Sequence, residues 1–189
     1  LKDEWLAERD RLSKVTFKRE NFTPEIKDHF SQDILNEYAD VLQTELPQTT
    51  ALLAINETVD PDSVVICSAG SLPGDLQRLW HSNVPNTYHL EYGYSCMGYE
   101  VSGTLGLKLA HPDREVYSLV GDGSFLMLHS ELITAIQYNK KINVLLFDNS
   151  GFGCINNLQM DHGNGSYYCE FRTADNQILN VDYAKVAEG

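Results

Sequence analysis

The stretch Glu115-Val116-Tyr117-Ser118-Leu119-Val120-Gly121-Asp122-Gly123-Ser124 is an apolar run that delivers an aspartate between two glycines. A second run, Ile142-Asn143-Val144-Leu145-Leu146-Phe147, ends in the same manner, on Asp148-Asn149. Glu115 to Val120 and Ile142 to Phe147 read as strands, and Ser124 to Tyr138 between them reads as a helix. Strand, helix and strand joined by short connections predict a right-handed βαβ unit and a parallel sheet. In open sheets of this kind ligands bind beyond the C-terminal strand ends. Both polar clusters fall there.

The same alternation extends upstream. Ser63-Val64-Val65-Ile66-Cys67 is a short β-branched run and reads as a buried strand. A loop follows from Ser68 to Gly74, then a short strand from Thr87 to Glu91. Met97 to Ala110 reads as a helix whose glycines imply close packing against a neighbour. The predicted class is α/β: three layers, a mostly parallel sheet with helices on both faces. Nearer the N-terminus, residues 1–20 are dense in charge and read as an exposed helix or connector. Thr23-Pro24-Glu25 is a helix-start signal. Ile34, Leu35, Tyr38, Val41 and Leu42 recur at helical spacing, which predicts an amphipathic helix over 31–46. Ala51 to Asn56 reads as a further short helix. Ser150 to Thr173 reads as a long functional loop with a short helix near Ile155 to Met160, and Asp182 to Glu188 as the start of a helix. The expected division is a charged connector over 1–30 and one binding domain over 31–189, incomplete at its C-terminal end. The first residue is not Met, so the chain reads as a piece of a longer polypeptide.

At 189 residues, 42% of them hydrophobic and 22% charged, the composition is that of a globular domain. A formal net charge of -13 argues against nucleic acid and anionic membranes as partners. No apolar stretch reaches the roughly 18 residues of a membrane span. Leu1-Lys2-Asp3-Glu4-Trp5 is too charged for a signal peptide. Cys67, Cys96, Cys154 and Cys169 are widely spaced and read as reduced thiols of a cytoplasmic protein.

An acidic chain that binds phosphate needs positive potential from backbone N–H groups, a helix N-terminus or a cation. Asp122 offers one hard oxygen, Asn149 a second, and a carbonyl near Gly151 a third. Few protein ligands plus phosphate oxygens is the manner in which Mg²⁺ is usually held. Gly121 and Gly123 let the backbone approach the phosphates, and Ser124 opens the following helix. The histidines show no metal-ligand spacing; His89, His162 and Glu91 are candidates to approach the cleft. No Ser-His-Asp arrangement is supported.

Gly121 to Asn149 closely resembles the diphosphate-binding signature of thiamine-diphosphate enzymes. Glu91-Tyr92-Gly93-Tyr94-Ser95-Cys96-Met97-Gly98 resembles the aminopyrimidine-side loop of that family, and Gly70-Ser71-Leu72 the loop that reaches the diphosphate from the other side. The resemblance implies thiamine diphosphate and Mg²⁺ as cofactors. It implies contacts from Gly70, Ser71, Leu72, Ser95, Met97, Gly121, Asp122, Gly123, Ser124, Asn149 and Gly151, with Asp122, Asn149 and Gly151 on the metal and Met97 beneath the bent cofactor. It further implies that an activating Glu comes from a pyrimidine-binding domain of the same or a neighbouring subunit. No catalytic residue is then assigned to this chain, which is expected to be inactive alone and to belong to a homo-oligomer. The runs Ser68 to Leu76, Tyr92 to Glu100 and Phe147 to Gly153 resemble a branch that hydrolyses a carbon–carbon bond of a cyclic polyhydroxy dione in myo-inositol catabolism. The alternatives are an acetolactate synthase-like or other 2-oxo acid lyase or decarboxylase domain, and a non-catalytic assembly module. Asp148 stands where acetolactate synthase-like members usually carry a first Asn, which makes that alternative the poorer fit.

Overall fold

The computed structural model describes residues 2–12, 14, 35, 36, 41 and 46–189. The helix expected over 31–46, the helix-start signal at Thr23-Pro24 and most of the connector lie outside the described residues. Within them the elements are α1 (Lys2–Leu12), α2 (Gln48–Thr58), β1 (Val64–Cys67), α3 (Leu72–Leu79), β2 (Tyr88–Leu90), α4 (Tyr99–Ala110), β3 (Val116–Gly121), α5 (Asp122–Leu128), α6 (Glu131–Gln137), β4 (Asn143–Phe147), α7 (Gly153–Asp161) and α8 (Tyr183–Glu188).

The four strands pair in parallel in the order β2-β1-β3-β4. Successive side chains leave opposite faces of each strand, and both faces are covered. Val65, Cys67 and Leu119 pack on one side with Leu52 of α2 and Leu72 and Leu76 of α3. Val120 packs on the other with Val101 of α4 and Phe125 of α5. β1 and most of β3 are fully buried, as continuous apolar runs require. β4 borders the sheet and is half-buried throughout. The three-layer α/β class is observed.

The chain leaves β1 for α3 on one face and β3 for α5 on the other. The strand order therefore reverses between β1 and β3, which opens a crevice beyond their C-terminal ends. Gly121 of β3 pairs with Phe147 of β4. That register sets Asp122 and Asp148 side by side just past the sheet.

Several expected boundaries shift. The helix expected from Met97 begins at Tyr99, because Gly98 adopts φ +90°, outside the helical region. The loop expected to run to Gly74 ends at Ser71, since Pro73 is tolerated in a first helical turn. The helix near Ala51 extends over Gln48–Thr58. The helix expected from Ser124 to Tyr138 is two: Leu132 and Ile133 donate to carbonyls three residues back, on His129 and Ser130, and this tighter turn separates α5 from α6. In the long segment after Ser150 the expected short helix forms, over Gly153–Asp161. The segment also holds two antiparallel bridges, Gly151 with Glu170 and Arg172 with Ile178.

Candidate cofactor and metal site

The crevice between β1 and β3 is a cleft of about 330 Å³. Four segments meet there: 69–72 after β1, the Tyr92–Met97 loop after β2, 121–124 after β3, and 147–158 after β4. All eleven residues expected to contact the cofactor or metal, Gly70, Ser71, Leu72, Ser95, Met97, Gly121 to Ser124, Asn149 and Gly151, line this one cleft. Glu91, His89 and His162 do not line it. His89 lies in β2, and exposed His162 caps α7 with Nδ1 2.8 Å from the Leu158 carbonyl.

Asp122 has no exposed surface. β3 passes straight into α5, so Asp122 is the first helical residue and not the apex of a turn. Its Oδ2 accepts the Gly151 N–H at 2.8 Å. Burial pushes its pKa upward and the neighbouring Asp148 adds to this, while the N–H groups of Gly151 and Gly123 oppose it. Across from Asp122, one end of the Asn149 amide lies 3.2 Å from Asp122 Oδ1 and 2.9 Å from the Gly151 carbonyl. With nitrogen at that end, the amide donates to both. With oxygen there, three oxygens converge with no proton between them. Neighbouring ligands on an octahedral Mg²⁺, held at about 2.0–2.1 Å, stand about 2.9 Å apart. One carboxylate, one carboxamide and one carbonyl at this spacing fit the cation that the sequence implies. No cluster of three His, Cys, Asp or Glu side chains suited to a metal occurs among the described residues, so a site here would be of this mixed, hard-oxygen kind.

The cradle depends on close backbone approach. A Cβ on Gly151 would stand 2.1 Å from the Cys169 carbonyl oxygen. A Cβ on Gly123 would meet the Phe152 ring at 2.7 Å and the Gly151 oxygen at 3.2 Å.

Ser124 departs from its expected place at the helix start. It is the third residue of α5 and points inward, donating to Glu100 Oε2 at 2.8 Å and accepting the Gly98 N–H at 2.7 Å. Glu91 shapes the Tyr92–Met97 loop, accepting the N–H groups of Cys96 at 2.8 Å and Tyr94 at 3.0 Å and the Ser68 hydroxyl at 3.2 Å. The Cys96 and Tyr94 N–H groups hold its carboxyl below its ordinary pKa. Of the tyrosines in that loop, Tyr92 lines the cleft, while Tyr94 is 91% exposed.

Sequence reasoning missed three features. Gln48 of α2 reaches the cleft and donates to Asp75 at 2.6 Å and Ser71 at 3.2 Å; no local pattern marks it. Phe152, Ile155 and Leu158 give the cleft an apolar lining, with the Phe152 ring against Gly123, for which only the expected short helix gave a hint. Glu100 is fully buried, although its position in a helix suggested nothing beyond a surface charge.

Residues 68–189 match the family model described as thiamine pyrophosphate enzyme, C-terminal TPP binding domain, and the chain belongs to this family. At finer grain, it is 92% identical over 189 residues to the 3D-(3,5/4)-trihydroxycyclohexane-1,2-dione hydrolase of Bacillus subtilis (strain 168), covering 100% of this chain and 30% of that relative. It is 89% identical over 188 residues to the enzyme of the same name from Bacillus velezensis, again 100% of this chain and 30% of the relative. The corresponding figures for the enzyme of that name from Shouchella clausii are 81% over 189 residues, 100% and 30%. The chain thus spans about 30% of the length of the curated relatives it matches. No helix among the described residues is long and apolar enough to cross a membrane.

Proposed function

We propose that the protein carrying this chain is a thiamine-diphosphate- and Mg²⁺-dependent hydrolase that opens the ring of a trihydroxycyclohexane-1,2-dione to a 5-deoxyglucuronate, in myo-inositol catabolism. The observation that carries the proposal is 92% identity across the whole chain to a relative with that substrate in its name. The oxygen cradle is chemically consistent with it.

In this reading Asp122, Asn149 and the Gly151 carbonyl would hold the cation, which would supply the positive charge that a diphosphate needs in an acidic chain. Gly121 and Gly123 keep side chains out of the diphosphate's path. Gly70, Ser71 and Leu72 close over it from the opposite wall, and Ser95 and Met97 face the aminopyrimidine. Phe152, Ile155 and Leu158 give the cleft an apolar lining. When bound, the cofactor supplies a nucleophilic carbon and an electron sink for carbon–carbon cleavage. No residue of this chain is assigned a proton-transfer step. The activating Glu belongs to a pyrimidine-binding domain of the same or a neighbouring subunit; the full-length enzyme is a homo-oligomer, and its compartment is the cytoplasm. Residues 31–189 form the diphosphate-side domain, and 1–30 a connector.

The test is an assay of the full-length protein with thiamine diphosphate and Mg²⁺, against the cyclic dione and against pyruvate. Ring opening with no pyruvate turnover is the expected result. Turnover of pyruvate alone would overturn the substrate assignment.

A further inference from the structure

Glu100 carries a carboxylate with no exposed surface, and among the described residues no ion pair includes it. Its partners are all neutral donors. Ala69 N–H reaches Oε1 at 3.2 Å; Gly98 N–H reaches Oε2 at 3.1 Å, and the Ser124 hydroxyl reaches the same oxygen at 2.8 Å. Gly98 N–H also lies 2.7 Å from Ser124 Oγ, which closes a triangle. Each donor belongs to, or adjoins, a different wall of the cleft: 69–72, 95–97 and 121–124. Glu100 itself does not line the cleft and stands behind all three walls.

Burying an unpaired carboxylate is costly, and an apolar side chain would serve stability better. A carboxylate does what an apolar group cannot. It is acceptor-only, and two oxygens on one rigid plane fix the spacing of three separate donors. We infer that Glu100 is a positioning residue of the cofactor cleft, gathering the three loops whose backbones and side chains face the ligand. The inference rests on the reading of the cleft as a thiamine-diphosphate site. A glutamine there keeps one acceptor and turns an NH₂ group toward N–H donors, while an aspartate is too short to span Ala69 and Gly98.

The test uses the full-length protein with E100Q and measures the cofactor concentration for half-activation at saturating Mg²⁺, kcat at saturating cofactor, melting temperature, and hydrogen exchange of the apo protein. The half-activation constant for thiamine diphosphate is expected to rise by about tenfold to a hundredfold, the scale of one hydrogen bond to a charged group. At saturating cofactor, kcat is retained. Exchange quickens together in 68–71, 95–98 and 121–124. A lowered melting temperature with an unchanged cofactor constant would reduce Glu100 to a structural role and overturn the inference. If E100Q does not fold, S124A removes one of the three donors, and an unchanged cofactor constant there overturns it equally. If the wild-type protein binds no thiamine diphosphate, the proposed function fails first. Exchange in the three segments then still decides the matter, and uncoupled exchange refutes the link.

Discussion

Replacing Gly151 with alanine tests the geometry on which the cradle depends. The new Cβ would stand 2.1 Å from the Cys169 oxygen, 2.9 Å from Glu170 Cα and 3.1 Å from the Cys169 carbonyl carbon. All three atoms are backbone, so no side chain can swing away. Restoring van der Waals contact needs a retreat of about 1 Å by one segment or the other. Two hydrogen bonds bracket the clash: Phe152 N–H to the Cys169 carbonyl and Phe171 N–H to the Ser150 carbonyl, both 2.7 Å. Losing one is worth about 0.5–1.5 kcal/mol, and the strained backbone adds about 1–3 kcal/mol. The expected destabilisation is therefore about 2–4 kcal/mol, a loss of about 5–15 °C in melting temperature for a domain of this size. The same retreat draws the Gly151 carbonyl away from Asn149, so the rise in melting temperature on adding Mg²⁺ and thiamine diphosphate should largely vanish. Thermal melts of both proteins, with and without the two cofactors, provide the measurement. A Gly151→Ala protein with the wild-type melting temperature and the wild-type cofactor response would refute the close-approach argument.

Asp122→Asn should separate stability from binding. It removes a buried charge whose protonation burial already favours, so the cofactor-free melting temperature should hold or rise, while stabilisation by Mg²⁺ and thiamine diphosphate disappears. A large fall without cofactors and an intact cofactor response would contradict this. Leu119→Ala, at a fully buried position in β3, should lower stability by about 2–5 kcal/mol in urea unfolding. The Cys67 thiol is pushed up to about 12 by burial and by the Glu100 charge. It should resist iodoacetamide at pH 8 until the protein unfolds, whereas exposed Cys96 labels freely; peptide mapping tells them apart. The Glu91 carboxyl is held down by the Cys96 and Tyr94 N–H groups. Its stabilising contribution is fully present above the unfolded value of about 4.3 and fades as pH falls through the lower folded value. Glu91→Gln should flatten that part of the acid melting profile.

The strands were legible because a parallel strand covered on its faces needs a mostly apolar run, and Val64 to Cys67, Val116 to Val120 with Ser118 within it, and Val144 to Phe147 supply one each. Asp122 and Asn149 were legible for a related reason: each comes one residue after such a run, behind Gly121 and Asp148, so each had to emerge at a strand end. Helix ends were less legible. The break between α5 and α6 turns on hydrogen bonds three residues apart, and the late start of α4 on a positive φ at Gly98. Neither leaves a compositional mark. Glu100 escaped for a stronger reason: a glutamate in the first turn of a helix is ordinarily solvated, and only the packing of three loops around it makes it internal.

From the residues alone followed the class of fold, the side of the sheet on which a ligand would sit and the hard-oxygen chemistry of its anchor. These are local properties, carried by periodicity and by residue type at strand ends. The tertiary structure decided the rest. The register of Gly121 against Phe147 placed the two anchors together. The reversal between β1 and β3 opened the cleft between them, and Glu100 came to lie behind its walls. Distances between segments far apart in the chain arise only when the sheet assembles and the layers close on it, and no stretch of sequence encodes them singly.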